Sequence, residues 1–105
     1  RRLEEPAYVD VMMLDDVYTH LSLVDGVFAT TLVDEAAGLQ VQQRTPAAFR
    51  EFVVCQKPGR DMICLEPYTC VTDAINMQAA GHDAVLSPGD EFRTWFEIEA
   101  GPVIA

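Results

Sequence analysis

Apolar and polar residues alternate at period two through most of the chain. This predicts half-buried β-strands rather than helices, because successive side chains of a strand point to opposite faces. The clearest run is Phe92-Arg93-Thr94-Trp95-Phe96-Glu97-Ile98-Glu99. Phe92, Thr94, Phe96 and Ile98 share one side, expected to be core, while Arg93, Trp95, Glu97 and Glu99 share the other, expected to face solvent. Trp95 on that polar side either covers a neighbouring element or forms a contact surface. Further strands are expected over residues 17–24, 27–33, 39–44, 49–56 and 62–66, each bounded by a breaker.

Asp25-Gly26, Ala37-Gly38, Pro58-Gly59 and Pro88-Gly89 supply the turns, since glycine takes positive φ without strain and proline presets φ. Asp25-Gly26 between Val24 and Val27 has the chemistry of a two-residue type I′ hairpin, so strands 17–24 and 27–33 are expected to pair. The helical signal is weak. Residues 72–80, closed by Gly81 and opened by Thr72 or Asp73 as N-cap, predict one or two turns or a loop. Short strands at close spacing predict an all-β sandwich or barrel with mostly antiparallel strands.

At 105 residues the chain is expected to be a single domain or part of one, burying about 60–70% of its unfolded surface. It opens on Arg1-Arg2-Leu3-Glu4-Glu5, without an initiator Met or an apolar leader, which suggests a fragment without a signal peptide. The longest strongly apolar island, Val11-Met12-Met13-Leu14, falls far short of the roughly 20 residues of a membrane helix, so no membrane partner is expected.

Seven Lys+Arg against 17 Asp+Glu give a net charge of −10. That field repels phosphate backbones and anionic headgroups and argues against nucleic acid. It is compatible with a neutral ligand such as a sugar, and equally with a surface that merely keeps a protein dispersed. Cys55, Cys64 and Cys70 are odd in number and lack Cys-x-x-Cys spacing. They are expected as free thiols in a cytoplasmic setting, where a Cys64–Cys70 bridge would not persist. Asp10, Asp15 and Asp16 lack the spacing of a calcium loop, and no metal is expected.

The chemistry-bearing stretch is residues 62–76, Met-Ile-Cys-Leu-Glu-Pro-Tyr-Thr-Cys-Val-Thr-Asp-Ala-Ile-Asn. In strand geometry Met62, Cys64 and Glu66 face one way and Ile63 and Leu65 the other, so Glu66 projects from a largely apolar face. Desolvation of a carboxylate there favours proton transfer chemistry. Pro67 keeps Glu66 extended and removes the next backbone donor, which predicts that the strand ends with the carboxylate at its rim. A solvated strand-end charge is the ordinary alternative.

The run Cys64-Leu65-Glu66-Pro67-Tyr68-Thr69-Cys70-Val71-Thr72-Asp73-Ala74-Ile75-Asn76 resembles the signature near the C-terminus of the aldose 1-epimerase family. Val85-Leu86-Ser87-Pro88-Gly89-Asp90-Glu91-Phe92 is similar to that family's closing turn and last strand, and Leu14-Asp15-Asp16-Val17-Tyr18-Thr19 to its Leu-Asp segment. The resemblance implies the C-terminal part of a galactose mutarotase-like β-sandwich. It also implies a cofactor-free reaction on a monosaccharide, an aldose such as glucose or galactose. Glu66 would be the general base on the anomeric hydroxyl, a histidine would protonate the ring oxygen, and the opened aldehyde would rotate and reclose as the other anomer. By the same resemblance Asp15 would bind sugar hydroxyls.

The family's histidines belong to sequence upstream of these residues, and neither His20 nor His82 matches them. His20 is expected in a strand as a structural residue, and His82 in a polar loop. Tyr18, Phe28, Tyr68 and Trp95 are candidates to stack on a sugar, although most strand aromatics are core. A C-terminal part leaves sheet edges unpaired and apolar faces uncovered, which predicts a homo-oligomer. Two other functions fit the same residues. One is a non-catalytic carbohydrate-binding or pseudoenzyme module lacking the catalytic histidine. The other is a glycoside hydrolase with Asp15 and Glu66 as its carboxylate pair.

Overall fold

The computed structural model describes residues 6–9, 14–56, 61–77 and 85–103. The chain is all-β, with six strands among the described residues: β1 Leu14–Tyr18, β2 Val27–Asp34, β3 Leu39–Pro46, β4 Glu51–Gln56, β5 Cys64–Tyr68 and β6 Glu97–Pro102. They form two three-stranded sheets, ordered β1-β4-β5 and β2-β3-β6, and every pairing is antiparallel. The period-two alternation thus gives the fold class correctly. Two compact units result, Arg1–Leu21 with Phe49–Ala84, and Ser22–Ala48 with Val85–Ala105.

The first unit is built around β4. Its residues Glu51, Phe52, Val53 and Val54 are all buried, on both faces of the sheet. The continuous apolar run Phe52-Val53-Val54-Cys55 is what a strand covered on both sides requires, whereas its neighbours β1 and β5 keep a mixed pattern. Leu14, Phe52 and Val54 lie on one face and Val53 on the other.

The second unit is an antiparallel sheet in which β3 is central. Residues 35–38 close the β2–β3 hairpin, where the Ala37 amide donates to Asp34 Oδ1 at 3.1 Å and Gly38, at φ 67°, donates to the Glu35 carbonyl at 3.3 Å. On one face Arg44 bridges β3 to β6, its Nε donating to Glu97 Oε2 at 3.0 Å and its Nη2 to Glu99 Oε2 at 2.7 Å.

Asp25-Gly26 adopts the expected turn, with φ of 52° and 79° and reciprocal Val24–Val27 backbone bonds of 2.9 and 3.1 Å. The expected pairing of the flanking strands does not follow. β1 pairs with β4 and β2 with β3, leaving only an isolated bridge at Val24–Val27. The reason is local: β1 ends at Tyr18, and His20 takes a positive φ of 54°, which turns the chain out of extended geometry. His20 is therefore not in a strand. Ser87-Pro88-Gly89-Asp90 forms the expected turn, with Gly89 at φ 88° and the Asp90 amide donating to the Ser87 carbonyl at 2.9 Å. Pro58-Gly59 lies outside the described residues.

The last strand is corrected as well. Pairing to β3 begins only at Arg44↔Glu97, and residues 92–96 stand outside the ladder. Phe92, Phe96 and Ile98, expected as core, are 53%, 59% and 60% exposed. Trp95 is exposed too. Residues 72–77 form consecutive turns and no helix, with Met77 donating to the Asp73 carbonyl at 3.2 Å and Asp73 at φ 58°. Residues 78–81 of that expected helix lie outside the described residues.

The glycines separate backbone strain from crowding. A Cβ at Gly26 or at Gly101 meets nothing within 4 Å, but only Gly26 has a positive φ. Gly26→Ala should therefore lower stability by about 1–2 kcal/mol through backbone strain alone. Gly101→Ala should be neutral or slightly stabilising. Urea midpoints of the two variants check this, and equal losses would place the cost in packing instead.

Candidate functional site

Register fixes which side chains share a face. In the β1-β4-β5 sheet, Val17, Val53 and Glu66 form one cross-strand row, and Asp15, Cys55 and Cys64 form the next. Glu51 and Tyr68, also directly opposed, lie on the same face beyond Glu66. Glu66 thus stands on an apolar row, half-buried, as its alternation with Cys64 predicts.

Asp15 is exposed on this same face, on the opposite edge strand. Two strand spacings and one two-residue step separate the Cα atoms of Asp15 and Glu66, about 12 Å in all. The two residues singled out from sequence, 51 positions apart in the chain, are brought to one surface by β4. Val53 and Cys55 are the floor between them.

Glu66 is not at the strand's end. β5 continues through Pro67, opposite Phe52, to Tyr68. A proline is tolerated there because β5 is an edge strand among the described residues, with β4 as its neighbour on one side. The continuation places Tyr68 two residues after Glu66 and so on its face, where the phenol donates to Glu66 Oε1 at 3.3 Å. The Glu66 negative charge, followed by burial and this hydrogen bond, raises the Tyr68 pKa above the ordinary tyrosine value, with smaller contributions from Cys70 and Cys55. The phenol accordingly keeps its proton through neutral pH and remains a donor. The bond is lost only as pH rises through that raised value.

Glu51 anchors the chain that follows. It is only 7% exposed, and its Oε1 accepts from the Thr72 amide at 2.9 Å and the Thr72 hydroxyl at 3.1 Å. These bonds hold the start of the 72–77 turns against the Glu51–Tyr68 end of the face. Thr72 therefore serves as a tether to β4 rather than as a helix cap. Asp73 Oδ1 accepts from the Asn76 side chain at 2.8 Å, again not from a helix backbone. The Tyr68 contact is missed from sequence because Pro67 is expected to end the strand at Glu66, and the Glu51–Thr72 contact, 21 residues apart, carries no sequence signal.

The other candidates fall elsewhere. Tyr18 lies on the opposite face of the sheet from Glu66, in the row Tyr18–Phe52–Pro67, and donates to Asp16 Oδ2 at 3.3 Å. Phe28 and Trp95 belong to the second unit. His20 is exposed, its Nδ1 2.9 Å from Thr19 Oγ1. His82 and Asp10 lie outside the described residues. Cys55, Cys64 and Cys70 are free and half-buried. Among the described residues no group of three or more His, Cys, Asp or Glu is placed to hold a metal ion, and no helix is long and apolar enough to cross a membrane.

No family model, curated protein or solved structure matches the chain.

Proposed function

We propose that this chain handles free aldoses in the manner of the aldose 1-epimerases, with Glu66 as the general base and Asp15 as a hydroxyl-binding carboxylate. The observation that supports the reading is the shared face. A half-buried carboxylate, held by a tyrosine hydroxyl, faces the same side of the sheet as an exposed carboxylate about 12 Å away. That separation leaves room for a ring of monosaccharide size between the two side chains. In the reaction, Glu66 takes the anomeric hydroxyl proton, the bond from C1 to the ring oxygen breaks, and the ring oxygen is protonated by an acid. Rotation about C1–C2 and reclosure give the other anomer. The acid would be a histidine outside the 105 residues, and the setting cytoplasmic.

One observation favours a second reading, a carbohydrate-binding module without turnover. His20, the one described histidine, is engaged with Thr19 beyond the end of β1 and takes no part in the β1-β4-β5 ladder that carries Glu66. Polarimetry of freshly dissolved α-glucose and α-galactose separates the readings. Relaxation faster than in buffer supports the epimerase. Saturable binding without acceleration selects the module, and release of reducing ends from a glycoside selects a hydrolase. No effect and no binding of either sugar removes all three.

Self-association belongs to the same reading. Leu39, Val41 and Ile98 lie on one face of the second unit's sheet and are 54%, 37% and 60% exposed, an apolar surface that a second copy would cover. Light scattering should show a mass that rises with concentration, and a constant monomer mass would remove this part.

A further inference from the structure

Cys55 and Cys64 are direct cross-strand partners on β4 and β5. Directly opposed residues of an antiparallel pair have Cα atoms about 4.5–5.5 Å apart and side chains on the same face. That interval lies within the Cα range of disulfides, roughly 4.4–6.8 Å. Both thiols are free and half-buried, so a small oxidant can reach them without unfolding the sheet. Cys70, the bridge partner that sequence suggests for Cys64, is in the stretch beyond the end of β5, where no strand register opposes it to Cys64.

From this register we infer that Cys55 and Cys64 form a cross-strand dithiol, a modification site that takes small-molecule disulfides such as oxidised glutathione. The exchange balances in two steps. One protein thiolate attacks the glutathione disulfide, forming a mixed disulfide and releasing one glutathione thiolate. The opposed cysteine, as thiolate, then attacks the protein sulfur of that mixed disulfide, and the second glutathione leaves as thiolate, taking up a proton. Two protein thiols are oxidised and one disulfide is reduced to two thiols.

Cβ atoms of opposed strand residues sit about 4.5–5.5 Å apart. A disulfide needs about 3.5–4.5 Å, so closure draws β4 and β5 together and the bond opens readily with reduced glutathione. Glu66 and Val53 are the next pair along this face, directly beside the closing one. The inference rests on register alone and stands whether or not Glu66 is a base.

Tryptic mapping after oxidation of the native chain tests it. Cleavage after Arg50, Arg60 and Arg93, with Lys57 protected by Pro58, places Cys55 in peptide 51–60 and both Cys64 and Cys70 in peptide 61–93. The expected product is a disulfide linking the two peptides, formed by the wild type and by Cys70→Ser, and abolished by Cys55→Ser and by Cys64→Ser. It should exceed either other pairing by about tenfold in the native chain, because among the three cysteines only this pair is directly opposed in strand register, against a near-even mixture when oxidation is run in guanidinium chloride. A bridge confined to peptide 61–93, a stable mixed disulfide with glutathione, no oxidation, or the same mixture with and without denaturant would each overturn the site.

Discussion

Replacing Glu66 by glutamine is expected to lower the mutarotation rate by about 10²–10⁴-fold, the usual contribution of a positioned general base. Sugar affinity should change little. The amide keeps the size of the side chain and can still accept from the Tyr68 hydroxyl, but it cannot take the anomeric proton. The loss should therefore appear in kcat with KM nearly constant, the pattern of an interaction made only in the transition state. The measurement is polarimetric relaxation at several sugar concentrations, on the protein carrying this chain at full length. Relaxation at the wild-type rate would remove Glu66 from the chemistry. Tyr68→Phe is the natural companion, since it keeps the ring and deletes the bond that orients the carboxylate.

Phe52→Ala should cost about 3–5 kcal/mol, the range for deleting a buried phenylalanine side chain. Stabilities of small domains total only about 5–15 kcal/mol, so this single change should bring the first unit close to unfolding. Phe52 is 4% exposed on the strand that holds the β1-β4-β5 sheet together, opposite Tyr18 on one side and Pro67 on the other. Phe92→Ala is the informative contrast. Alternation ranks Phe92 as core, yet it is 53% exposed and outside any ladder, so its replacement should cost within about 0.5 kcal/mol. Urea titrations of both variants decide the matter, and comparable losses would mean that residues 92–96 are packed after all.

The two phenylalanines show where reading by period succeeds and where it stops. A period-two pattern reports which residues could share a buried face, but it holds no information on whether a partner surface exists. Phe52 is buried because β4 has neighbours on both edges. Phe92 is not, because the β3–β6 ladder begins only at Glu97 and leaves Phe92 without a cross-strand partner among the described residues. The hairpin shows the same limit. Asp25-Gly26 dictates its own φ angles locally, and those were legible, whereas the strands on either side of it pair elsewhere, β1 with the distant β4 and β2 with β3.

The site divides in the same way. Sequence by itself determined the all-β class, the turn chemistry, and the projection of Glu66 from the face that also carries Cys64, because each depends only on backbone sterics or on the alternation of one strand. Tertiary structure decided everything that requires two strands in register. It brought Asp15 to the face of Glu66, opposed Cys55 to Cys64, and buried Glu51 as the anchor of Thr72. Register is set by the pairing of whole strands, and a one-residue slip would send each of these side chains to the opposite face. A single strand's sequence cannot contain that choice, since the free energy that makes it comes from the neighbour's side chains.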